Sequence, residues 1–195
     1  MPKLRCSYQL HIQLCETKPA VWRRVVVADT TTLAQLHQTI QAVMGWPHAT
    51  RYGFDIANQR YGLPNPDQPD DPTMDARRYT VGQLLQGKAL PMRYAYGAGN
   101  LWLHRIKLEA CSPIGSPAAL TSLPMCLGGR NACPPVITSN AAHYQRLLDA
   151  HAQGHIDPTF DPKHFDVQEA QQRVHALQLL RASTVVKTSV DHVAA

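Results

Sequence analysis

The chain has 195 residues, 44% hydrophobic and 17% charged, with a formal charge of +5. That is long enough to bury a core within one domain and has the composition of a globular protein, while no apolar run approaches bilayer-spanning length. The opening M-P-K-L-R-C has no signal-peptide core, so a cytoplasmic protein with no membrane partner is expected; the basic excess lies in residues 1–110, leaving room for an anionic partner.

Lys3 to Leu14 alternates without a fault, with Leu4, Cys6, Tyr8, Leu10, Ile12 and Leu14 on one side and Lys3, Arg5, Ser7, Gln9, His11 and Gln13 on the other. This is a half-buried strand with one wet face. A turn over Glu16 to Pro19 leads into a valine-rich strand from Ala20 to Ala28, and the two are expected to pair as an antiparallel hairpin. Arg23 and Arg24 project to opposite sides of that strand, so one of them must lie on the apolar side or at an edge. Asp29 to Thr32 supply N-cap oxygens for a helix striped by Leu33, Leu36, Ile40, Val43 and Met44 and stopped by Gly45.

Tyr52 to Ile56 reads as a third strand, Gly62 to Thr73 as a proline-rich loop, and Val81 to Leu85 as a helical turn. Leu90 to Tyr96 and Leu101 to Ala110 are the next strands. The latter sets Trp102, His104, Ile106 and Leu108 on one face, with Leu103, Arg105, Lys107 and Glu109 on the other. A hairpin, a crossing helix and further strands predict an α+β fold with a β-grasp-like mixed sheet over residues 1–110. Residues 111–139, with C-L-G-G-R-N-A-C-P-P, are expected to be an ordered loop packing on that core and over His104. Helices from about Ala141 to His151 and from Val167 onward form a C-terminal helical annex over 140–182, and 183–195 reads as a flexible tail. The whole is expected to be one domain.

Buried imidazole needs partners, and five cysteines, Cys6, Cys15, Cys111, Cys126 and Cys133, without an export signal are expected to be reduced. His104, Cys126 and Cys133 are zinc-type donors, but three donors leave a structural site one short. A Cys133 nucleophile with His104 as base is a further reading. The bland alternative is a hydrogen-bonded core histidine with packed thiols. Arg5, Arg23, Arg24, Arg93, Arg105 and Lys107 are the candidates for phosphate contact with DNA or RNA, against the alternative of a solvated face. No recognition helix, zinc finger or phosphate loop is spelled out.

P-A-V-W-R-R-V at 19–25, T-L-A-Q-L-H-Q-T-I-Q at 32–41, M-G-W at 44–46, Tyr94 to Glu109, A-C-P-P at 132–135 and F-D-P-K-H-F-D at 160–166 together resemble the plasmid Ri open-reading-frame-three-like family. That family includes insertion-element passenger proteins called resolvase-like. On this resemblance the motif residues are Trp22, His37, Trp46, Tyr94, Gly97, Trp102, His104, Pro134 and Pro135. Where family members carry Tyr-Asp-Phe-Gly-Asp, this chain reads Tyr94, Ala95, Tyr96, Gly97, Ala98; where they carry Glu-Asp after the two prolines, it has Val136 and Ile137. The family's His-Leu positions are Thr50 and Arg51, with His48 displaced. The resemblance implies a mobile-element-associated protein of unestablished activity, and the missing carboxylates turn the reading from catalysis to binding. Nucleic-acid backbone or an element-encoded protein is the expected partner. A metal-dependent or thiol enzyme centred on His104 and Cys133 and a purely structural or regulatory interaction domain stay open beside it.

Overall fold

The alternation at the start of the chain becomes a strand, β1 (Cys6–Leu14), whose apolar side chains Tyr8, Leu10, Ile12 and Leu14 are buried. The computed structural model describes residues 5–46, 51–68, 70–97, 102–136, 138–155 and 159–191, from 182 onward by backbone alone. Lys3, Leu4, His48, Thr50, Ala98, Leu101 and Ile137, named above, lie outside the described residues. β1 pairs antiparallel with β2 (Trp22–Ala28), as the hairpin pattern predicts.

Helix α1 (Leu33–Met44) begins at a capping box in which the Thr32 hydroxyl accepts from the Gln35 N–H and the Gln35 side chain accepts from the Thr32 N–H. It ends at Gly45, whose φ of 76° is the left-handed cap that glycine adopts without strain. β3 (Tyr52–Ile56) turns through Ala57 and Asn58, both at positive φ, into β4 (Gln59–Gly62). β5 (Met74–Asp75) is two residues long, and α2 (Val81–Leu85) starts at a second capping box, Thr80 with Gln83. β6 (Met92–Tyr96) and β7 (Trp102–Pro113) are the antiparallel pair that carries Tyr94 and His104 opposite each other.

The 111–139 stretch is not all loop. β7 continues to Pro113, a short helix α3 (Pro117–Thr121) follows, and β8 (Met125–Arg130) pairs antiparallel with the free side of β2. The strands form one sheet of eight in the order β5-β4-β3-β6-β7-β1-β2-β8. The fold is thus α+β, a mixed sheet with helices. The β-grasp-like detail is not carried by the pairing: β1 lies antiparallel to β7, and β4 with β5 is the one parallel ladder among the described residues.

α4 (Ala141–Ala152) is capped by Asn140, and α5 (Val167–Asp191) runs beyond Ala182, where the sequence reading places a tail. α5 lies against α1 through charged hydrogen bonds. Arg173 donates to the Ala42 carbonyl at 2.8 Å, and Arg181 to the Gln35 carbonyl and the Gln38 side chain at 3.0 and 2.7 Å. Leu36 and Ile40 of α1 and Val174 of α5 join Leu10, Ile12, Leu14, Val25 and Ile106 in the core on one side of the sheet. The other side is left with the polar residues of each strand, because strand side chains alternate.

Candidate functional site

On the open side, pairing registers line up one row across five strands: Arg93 opposite Arg105, Arg105 opposite Gln13, Gln13 opposite Trp22, and Trp22 opposite Arg130. A neighbouring row holds Lys107, His11 and Arg24. Arg93, Arg105, Lys107 and Arg130 are exposed, and none of them enters an ion pair among the described residues. Among the described residues Arg105 reaches Gln13 Oε1, at 3.3 Å. Asp55 stands opposite Arg93 on the far side, but its nearest cation is Arg60, at 3.8 Å. Beside the arginine pair a cleft of about 700 Å³ opens between the turn after β1 and α4, lined by Lys18, Arg93, Arg105 and Gln145 among others.

Two of the expected phosphate-contact residues are already engaged on this face. Arg24 forms a two-pronged pair with Glu109 at 2.6 and 2.8 Å. That contact, with Gln9 as second donor, holds the Glu109 carboxyl down at about 2. Glu109 is the extra residue of β7 opposite the Gln9/Leu10 step, a bulge that shifts the register. Arg5, at the end of β1, sits 3.7 Å from Asp29 and donates to Thr30. Trp22 is partly exposed, with the His11 ring 5.2 Å away at 29° and the Arg24 guanidinium 5.2 Å from its centroid. Burial, with Arg24, Lys107 and Arg105 nearby, holds His11 below its usual 6.5 despite Glu109.

Arg23 is not part of this face. It points to the helix side and is 3% exposed. Its guanidinium donates to the Val43, Trp22 and Arg130 carbonyls at 3.0, 2.8 and 3.1 Å, lies 4.2 Å over the Phe165 ring and meets the Cys133 sulfur at 3.1 Å. It thereby ties the end of α1, β2, β8 and the A-C-P-P segment together, and cannot meet an external phosphate.

Of the motif residues, Trp22 stands on the open face, while His37, Trp46, Tyr94, Trp102 and His104 gather on this inner side. Tyr94 Oη lies 2.8 Å from His37 Nδ1 and accepts from Gln41 Nε2 at 2.8 Å, while the His37 ring stacks on Tyr52 at 3.8 Å and 4°. His104 is fully buried; its Nδ1–H donates to the Trp102 carbonyl at 3.1 Å, leaving Nε2 without a partner among the described residues. Burial pushes its pKa down to about 4. Trp46 bridges this cluster to the A-C-P-P segment. Its indole N–H donates to the Pro134 carbonyl at 3.0 Å, and its ring stands edge-on to His104 at 5.4 Å. Trp46 thus stands between the A-C-P-P segment, expected to pack over His104, and the imidazole. Gly97 has a φ of 113°, which few other residues adopt.

The candidate thiols have protein partners. Cys133 contacts Arg23 and Met44, and burial raises its pKa to about 11 against the pull of Arg23 and Arg173. The Cys126 thiol, on β8, reaches the Gly128 carbonyl. No three His, Cys, Asp or Glu side chains among the described residues are placed to hold a metal ion. Arg130 and the His11–Trp22 contact escaped the sequence reading. Arg130 required β8 to be recognised; the Trp22 contact was implicit in the parity of the first hairpin.

The fold thus defines an α+β protein with a closed inner side, where most motif residues lie, and an open sheet face that carries exposed arginines. The family model for plasmid pRiA4b ORF-3-like proteins matches residues 6–178, and the chain belongs to that family. It is 36% identical over 143 residues to an uncharacterized protein, y4hQ, of Sinorhizobium fredii (strain NBRC 101917 / NGR234), covering 73% of this chain and 71% of the relative. Its fold is similar to that of a crystal structure of a protein of unknown function, MM3350, from Methanosarcina mazei Go1. The TM-score is 0.69 at 22% identity, covering 86% of this chain and 98% of that one. No helix among the described residues is long and apolar enough to cross a membrane.

Proposed function

We propose that this protein is a binding module that holds a nucleic acid by its phosphate backbone across the open sheet face. The observation that carries the reading is the direct cross-strand opposition of Arg93 and Arg105, with Lys107 beside them and no carboxylate paired to any of the three among the described residues. Like charges set opposite each other destabilise a sheet, so the arrangement makes physical sense when an anion lies over it. Arg24 and Arg5, whose carboxylates sit beside them, contribute less, and Arg23 contributes nothing.

The test is fluorescence anisotropy of a labelled oligonucleotide over a salt series. Binding should weaken steeply with salt. In the Arg105→Ala, Lys107→Ala double variant the log–log slope should fall by about 1.4 to 1.8, as two phosphate contacts at about 0.7 to 0.9 each require. Absence of binding at low salt, or a slope that the double variant leaves unchanged, would overturn the reading.

A further inference from the structure

Resting on the phosphate-binding reading, we infer that the strand held is single, with an unpaired base stacked on Trp22. Of the three tryptophans, Trp46 and Trp102 are core residues, each 8% exposed, whereas Trp22 faces outward among cations. Nothing in core packing calls for an indole there. His11 and Arg24 lean against it, and Arg24 is itself locked by Glu109, so the ring is held in place before any ligand arrives. A large, rigid and partly wet aromatic surface loses little entropy on binding and stacks any base.

The position of the ring in its row argues for the same ligand. Arg93 and Arg105 stand on one side of it and Arg130 on the other. With neighbouring strands about 4.8 Å apart, the row from Arg93 to Arg130 spans roughly 19 Å. That is enough for about four nucleotides crossing the sheet, with phosphates at both ends and a base over Trp22, one strand in from Arg130. A duplex cannot offer a base face to such a surface, and reading its major groove needs a projecting helix or ribbon; the row itself is made of residues on paired strands.

The experiment compares three labelled probes at one low salt concentration: a single strand of about ten thymidines, the same length of duplex, and a strand of about ten abasic nucleotides. The wild-type chain should bind the thymidine strand about tenfold or more tightly than either of the others. Trp22→Leu should remove that preference, and Trp22→Tyr should restore most of it. Equal affinity of the wild-type chain for the base-bearing and abasic strands would overturn the stacking inference whatever the variants do. So would equal affinity for single strand and duplex. In both cases phosphate binding would stand; failure of all three probes to bind would instead remove the phosphate reading itself.

Discussion

At the scale of single residues, two of the buried polar groups on the inner side have different consequences. Arg23 carries a charge into the core with no carboxylate paired to it among the described residues, and its compensation is three carbonyls, a sulfur and an aromatic face. His104 is buried neutral, with a folded pKa of about 4 against its usual 6.5. In the interval between those values the unfolded chain binds the proton and the folded chain does not. Stability therefore falls as pH drops from about 6.5 to about 4, by an amount of the order of 3 kcal/mol. The urea midpoint should accordingly be lower at pH 4.5 than at pH 7; a level midpoint would show that the imidazole charges within the fold without cost. Parity made the inward direction of His104 legible in the sequence. For the Arg23–Arg24 pair the sequence required that one lie on the apolar side or at an edge but could not say which, because that depends on where β8 and Phe165 lie.

At the scale of elements, β1, β2, α1, β6 and β7 were legible because each carries its own periodicity or cap. β4 was not, since its turn uses Ala57 and Asn58 at positive φ without the glycine that marks such hairpins. β8 was missed for a related reason. C-L-G-G-R-N has the composition of a turn, and only the unpaired side of β2 makes it a strand. Its two glycines are not equivalent. A Cβ on Gly129 would come within 2.7 Å of Arg23 Cδ and of the Trp22 carbonyl, and 2.8 Å of Phe165, whereas one on Gly128 would meet nothing within 4 Å. Gly129→Ala should cost about 2–3 kcal/mol or more, and Gly128→Ala about 0.5 kcal/mol or less, by chemical denaturation. Equal costs would mean that β8 can draw away from Arg23.

At the scale of the whole molecule, the sheet has one side committed to the core and one left open, and both edges are blunted. β5 offers two residues, and on β8 the Cys126 N–H is taken by the Gln171 side chain of α5 at 2.8 Å. Strand addition, the simplest route to a protein partner, is thereby disfavoured. The open side should show the opposite sign of compromise from the core. Arg105→Gln removes a like-charge opposition, and should leave the fold as stable or raise it by roughly 0.2–1 kcal/mol while weakening oligonucleotide binding. A melting temperature lowered by several degrees would make Arg105 a structural residue instead. The parity of Arg93, Arg105 and Lys107 could be read from the sequence. The neutralisation of Arg24 could not, because it depends on the order and register in which β2, β1 and β7 pair.

The unequal placement of the three tryptophans has an optical consequence. Trp46 and Trp102 are sealed from solvent and should emit at the blue edge, leaving Trp22 as the red-shifted component open to collisional quenching. Iodide, an anion drawn by the surrounding guanidinium groups, should quench that component more effectively than neutral acrylamide relative to a tryptophan in free solution. The unlabelled chain thus carries its own optical gauge of how crowded and how positive the open face is, read from a side chain that lies within it.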